Sequence, residues 1–249
     1  MTVLLEAPGT HPTLSLGCGT FCTFNADGLI STGIAIVLTL AMGFYVRSRL
    51  ESGVPNRFQA VFELFYDFVR GLVRENVHES ATFVVPLAMT IGFYILVANW
   101  AGIVPLDLIP NVHPANEDLN QTAAMALVVI VVVQWYSLRV QGLRGYLRRF
   151  TKPFELPLPV RIFPYIPLNI LEEVVKPVTL SLRLFGNLFA GGVMIFLILL
   201  LLPWPAAIPT LVVWKLFDVL FIGAIQALIF TLLTVVYFGQ AREGLAEHH

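Results

Sequence analysis

The sequence is short of charge. Only 12% of its 249 residues are charged, while 57% are hydrophobic, and the mean hydropathy is +0.80. Soluble domains carry about 25% charged residues, so a chain with half that charge points to lipid as its solvent. No polar stretch is long enough to be a soluble domain. Net charge is -1, so there is no basic excess to draw nucleic acid. Cysteine is limited to Cys18 and Cys22. Their spacing either closes a small disulfide in an extracellular tail or is incidental, and two cysteines without ligand neighbours are not a metal site. His11, His78, His113, His248 and His249 all fall outside the apolar runs, which removes a membrane di-iron or haem centre. Neither a GxSxG nor a P-loop element occurs. No nucleotide site, no cofactor and no catalysis of ATP hydrolysis are therefore expected of the chain alone.

What is present is long and apolar. Runs at about 29–46, 83–104, 122–138, 169–202 and 210–238 are each long enough to cross a bilayer. The stretch 57–77 differs. Phe58, Val61, Phe62, Phe65, Phe68, Val69 and Leu72 recur at helical spacing, with Arg57, Glu63, Asp67, Arg70 and Arg74 opposite them. That pattern predicts an amphipathic helix on the membrane surface. The last two runs exceed the ~20 residues of a perpendicular span and are joined through Pro203, Pro205 and Pro209. They predict a long, tilted helical hairpin with a tight proline turn. The expected fold is an all-α polytopic membrane protein of about five transmembrane helices plus one surface helix. It forms a single membrane domain over 29–241, with tails at 1–28 and 242–249.

Residues 1–28 carry Glu6, Pro8 and Pro12 and no positive start, so they read as an irregular tail rather than a signal peptide. The loop at 106–120 has three acids and no Lys or Arg, whereas 47–74 and 139–161 hold most of the basic residues. Basic loops stay cytoplasmic, which puts the N-terminus outside and the C-terminus inside.

Arg183 stands out. It lies midway along 169–202, where its side chain cannot easily reach either surface. A guanidinium there costs about 2.5–3.5 kcal/mol on insertion scales, so a functional role is the default reading. The alternative is an arginine neutralised by a buried acid, and acids at that depth are scarce. At about 100° per residue, Glu172, Lys176 and Arg183 fall within about 20° of one line, with Asn169 and Asn187 within about 60°. One face of an apolar helix thus carries a polar stripe. Pro177 bends the helix within it. On the last run, Gln226 reaches a depth comparable to Arg183. Asp218 lies nearer the outer turn, either as a proton relay or neutralised by Lys215 at i, i−3. Gly186, Ala190, Gly191 and Gly192 flatten part of the Arg183 helix and allow close approach of another subunit.

The run Ser181-Leu182-Arg183-Leu184-Phe185-Gly186-Asn187-Leu188-Phe189-Ala190-Gly191, with the later Gln226-Ala227-Leu228-Ile229-Phe230, resembles subunit a of F-type ATP synthases. The similarity extends back through Asn169, Glu172, Glu173, Lys176 and Pro177, whose spacing resembles the actinobacterial form. The resemblance covers most of the chain and is weak before residue 29. It implies a proton-conducting stator of a bacterial plasma membrane, partnered by a rotating ring of c subunits and by the peripheral-stalk subunit b. Arg183, Asn187 and Gln226 would face the ring. Asp218 would serve an outer half-channel, and Asn169, Glu172, Glu173 and Lys176 a cytoplasmic one. Arg183 would prevent a short circuit between them by holding each passing ring carboxylate ionised, since a neighbouring cation favours the charged form. Two departures from the family pattern stand out. An acid found nine residues after the arginine in some relatives is Gly192 here, and Asp218 stands where some have His. Asp218 to Gln226 is also one residue longer than the family spacing, which in a regular α-helix turns the two about 80° apart.

Two other classes fit less well. A secondary transporter with an arginine substrate clamp predicts paired halves with broken helices, and no internal repeat is visible. An intramembrane enzyme lacks its metal ligands or nucleophile motif.

Overall fold

The structure, a computed structural model, describes residues 13–15, 23–50, 55–77, 82–101, 119–149 and 158–243. The described chain is almost wholly helical. The exception is a short antiparallel ladder of β1 (Thr13–Ser15) and β2 (Thr23–Asn25), with Leu14 opposite Phe24. The tail expected to be irregular is therefore locally paired. Cys18, Cys22, the loop at 106–118 and all five histidines lie outside the described residues.

Five helical stretches are long and apolar enough to cross a membrane: Gly28–Ser48, Val84–Ala101, Leu119–Leu143, Pro167–Leu201 and Trp204–Ala241. They belong to α1 (Ala26–Ser48), α3 (Val84–Ala101), α4 (Leu119–Arg149), α5 (Leu158–Leu201) and the pair α6 (Trp204–Phe217) and α7 (Gly223–Glu243). Helix α2 (Arg57–Asn76) is the amphipathic one, and Asn56 Oδ1 accepts a bond from Arg57 N at its start. Its apolar face divides. Val69, Val73 and Val77 are buried with the core of α3, α4 and α7, whereas Val61 and Leu64 remain exposed.

Helix boundaries differ from the sequence reading in three places. Helix α5 begins at Leu158, eleven residues before the apolar run at 169–202, and runs through Pro159, Pro164 and Pro167. Helix α4 continues to Arg149 across a break at Gly142, whose φ of 65° suits glycine. The tight turn of the hairpin shrinks to Leu202–Pro203. Pro205 is at the second position of α6, where a proline's missing N–H costs nothing, and Pro209 follows inside the helix. At 1.5 Å per residue, α5 is about 66 Å long, more than twice the ~30 Å hydrocarbon layer, so it must tilt or project beyond it.

The core is a seam between α3 and α7, which run antiparallel. Gly92 on α3 faces Thr231 on α7, and one end further along Asn99 faces Gly223. Phe83, Tyr136 and Phe238 meet edge-on at centroid distances of 5.6–5.8 Å and join α3, α4 and α7. Helix α1 is held more lightly. Thr32 Oγ1 lies 2.5 Å from Gln121 Oε1, and Gln121 Nε2 donates to the Tyr94 hydroxyl at 2.9 Å. Most of its apolar side chains, among them Val37 and Phe44, point away from the chain, as expected of a face turned to lipid.

Candidate functional site

Arg183 sits at the middle of the Pro167–Leu201 span and is exposed on the surface of the chain. Among the described residues no carboxylate lies within ion-pair distance of it. Tyr237 of α7 lies across the hairpin from it, within electrostatic range. The reading of an arginine neutralised inside its own bundle therefore finds no partner. On both sides its helix carries aliphatic surface, with Leu182 half-exposed and Leu184 fully buried.

Toward the Leu201 end of α5, four polar side chains converge. Asn187, one turn beyond Arg183, donates from Nδ2 to Gln226 Oε1 at 2.7 Å. The sequence placed Gln226 at the depth of Arg183. The structure pairs it with Asn187. Gln226 is 2% exposed, and its Nε2 has no partner. Asn99 of α3 donates to Gly223 O at 3.3 Å. Asn99, Asn187, Asp218 and Gln226 line one small cleft together with Leu188, Val219, Ile222 and Gly223. Asp218 is buried, and its carboxylate rests on the backbone of α5 at Gly191. A Cβ at Gly191 would stand 3.0 Å from Oδ2 and 3.2 Å from Oδ1, so a side chain there would press on the acid. No ion pair joins Lys215 to Asp218 among the described residues. Lys215 acts on Asp218 only at longer range.

Asp218 and Gln226 reach the same cleft because the helix between them is not regular. Asp218–Ile222 winds as a π turn, in which Gly223 N–H bonds back to Asp218 O, five residues away. The 80° offset expected of an α-helix is thereby removed.

Toward the Leu158 end of α5 lies a second polar group. Lys176 Nζ bridges Glu172 Oε1 at 3.2 Å and Glu173 Oε1 at 3.1 Å. Glu173 Oε2 accepts from Gln134 Nε2 of α4 at 2.5 Å, and the Tyr146 hydroxyl donates to Gln134 Oε1 at 3.0 Å. The Tyr237 hydroxyl lies beside Thr179, one turn before Arg183, and the Thr179 hydroxyl itself donates to Val175 O and Lys176 O. Asn169 is partly buried at the start of the span.

The two groups are distinct, and Arg183 lies between them along α5. Asn99, Gln134, Tyr146, Thr179 and Tyr237 were not singled out as site residues from the sequence. An amide deep in an apolar run is costly enough to have marked Asn99 and Gln134. The hydroxyls carried no such signal, because threonine and tyrosine are common in membrane helices. Among the described residues no cluster of His, Cys, Asp and Glu could hold a metal ion.

Comparison with known proteins agrees with this architecture. Residues 29–239 match the family model described as ATP synthase A chain. The chain is 38% identical to the ATP synthase subunit a of Acidothermus cellulolyticus over 97% of its own length and 86% of that protein's. It is 40% identical to the subunit of Mycobacterium marinum, covering 91% of each chain. It is 39% identical to that of Mycobacterium ulcerans, covering 97% of this chain and 95% of that one. With five spanning helices, a mid-membrane arginine and this extent of similarity, the chain belongs to the ATP synthase subunit a family.

Proposed function

We propose that the chain is the proton-conducting stator subunit of its ATP synthase. Two offset half-paths load and unload protons on a ring of c subunits, and Arg183 keeps the paths from joining. One observation carries this reading: an exposed, unpaired cation at mid-membrane stands between two separate polar groups. A bare guanidinium facing lipid is unfavourable by about 2.5–3.5 kcal/mol. A carboxylate that arrives on another subunit removes that cost.

The steps follow from electrostatics. A ring carboxylate beside Arg183 is held ionised. One that moves toward Asn187 and Gln226 leaves that field and takes a proton from the Asp218 side. One that approaches from the other direction releases its proton toward Thr179, Tyr237 and the Glu173 group. A potential of 100 mV adds about 2.3 kcal/mol to each proton that crosses.

In this reading the Asp218 cleft opens outside, and the Glu172–Lys176–Glu173 group faces the cytoplasm of a bacterial plasma membrane. The N-terminal tail at 1–28 is outside, the membrane domain spans 29–241, and the tail at 242–249 is cytoplasmic. Subunit b of the peripheral stalk and lipid cover surfaces away from the ring.

The decisive test is Arg183→Ala in the assembled complex in membrane vesicles. ATP-driven proton pumping and ATP synthesis should both vanish while the complex stays intact. Coupling that survives the substitution overturns the proposal.

A further inference from the structure

The π turn at Asp218–Ile222 has an observable consequence for how this chain tolerates change. π turns are rare and concentrate at functional sites. This one sits where the chain is a residue too long. Eight steps of about 100° leave Asp218 about 80° away from Gln226, whereas seven leave it about 20° away. The structure has eight steps, yet both side chains line one cleft. The surplus residue is wound into the wide turn that the Gly223 N–H to Asp218 O bond closes.

Neighbouring contacts hold the turn on both sides. Gly191 leaves room for the Asp218 carboxylate, and Asn99 packs on Gly223 and bonds its carbonyl. Among the described residues Phe221, on the outward side of the turn, stacks only on Phe217, one turn back in the same helical stretch. Leu220 is 45% exposed and Phe221 61% exposed, so neither fills the core.

We infer that the π turn is a register device that absorbs one surplus residue and so keeps Asp218 in the Gln226 cleft. The inference rests on the reading of Asp218 as the outer proton relay. It makes an unusual demand. Removing one residue from a membrane helix normally rotates everything beyond it by about 100°. Removing one from this turn lets Asp218–Gln226 wind as a plain α-helix of seven steps, with both side chains still in the cleft.

The test uses the whole ATP synthase in vesicles, with Leu220 or Phe221 deleted separately. Each deletion should keep proton-driven ATP synthesis within about threefold of the native rate. Asp218→Asn should cost the same factor in the Leu220-deleted chain as in the native one, which shows that the path still runs through that acid. Deletion of Leu228, equally exposed but in regular α7, is the contrast. It should lose about tenfold or more, or fail to assemble. The inference is overturned if both turn deletions abolish synthesis or assembly. It is also overturned if the Leu228 deletion is tolerated as well as they are, or if Asp218→Asn loses its effect in the deleted chain. Asp218→Asn without effect in the native chain would instead remove the relay reading, and the turn deletions set against the Leu228 deletion would still decide the register.

Discussion

Gly92→Ala should loosen the seam on which the Asp218 cleft is built. An ideal Cβ at Gly92 would stand 2.0 Å from Thr231 Oγ1, 3.3 Å from Thr231 Cβ and 3.5 Å from Phe65 Cζ. The first contact is far inside van der Waals distance. The threonine cannot swing aside freely, because its hydroxyl donates to Ala227 O at 2.8 Å and the side chain is fully buried. Overpacking of this kind costs about 1–3 kcal/mol. Alanine returns at most about 1 kcal/mol over glycine in a helix interior. A contact that short puts the steric cost in the upper part of its range, so it wins, for a net loss of about 1–2 kcal/mol, roughly five- to thirtyfold in an equilibrium. The assay is the fraction of the subunit retained in the complex as detergent-solubilised enzyme is heated. Thr231→Ala should restore the native curve in the Gly92→Ala chain, since it removes the clashing oxygen and leaves the 3.3 Å contact with Cβ and the 3.5 Å contact with Phe65. Because Asn99 and Gly223 lie on the same seam, proton flux should fall and recover in step with stability. A Gly92→Ala chain as stable as the native one, or a loss that Thr231→Ala does not repair, would refute the packing argument.

Three further outcomes follow from the site. Asp218→Asn should slow proton entry by about tenfold or more, as loss of a positioned proton carrier does. Flux equal to native would take Asp218 out of the path. Asn99→Leu removes the donor to Gly223 O and should lower ATP-driven pumping about fivefold, in line with the roughly 1 kcal/mol of a buried hydrogen bond. The substitution counts against that role if only complex stability changes. Gln134→Leu removes the amide bond to Glu173 Oε2. A hydrogen bond to a charged group contributes about 1.5–3 kcal/mol, so subunit a should detach between α4 and α5 at lower temperature and release protons more slowly. Unchanged pumping would limit Gln134 to an incidental contact.

Much of this could be read from the chain because lipid leaves few choices. Hydrophobic runs of about 20 residues must become helices, and so the five spans, the amphipathic α2 and the long hairpin were visible in composition and period. Arg183 was visible for the same reason, as a charge with no business in oil. Asn187 and Gln226 came with it. What was hidden depends on packing. The apolar run marked the span but not the start of its helix: α5 begins at Leu158 with Pro159 at its second position, where a missing N–H costs nothing, and continues through Pro164 and Pro167. The partner of Gln226 could not be read from depth alone, because depth does not say which of two residues one turn apart faces the neighbour. The surplus residue between Asp218 and Gln226 was legible as a discrepancy. Its resolution was not, because period arguments assume 3.6 residues in every turn.

The two ties on either side of Arg183 have a mechanical meaning. Glu173 is fastened to Gln134 on α4, and Asn187 to Gln226 on α7. Those anchor points are about 21 Å apart along α5, and Arg183 lies between them. A rod pinned near the point of load bends far less than one held only at its ends, because deflection grows as the cube of the free length. Left free, the 44 residues of α5 would flex sideways under any passing force. Pinned twice, the helix presents its guanidinium at a fixed stand-off to whatever slides past it.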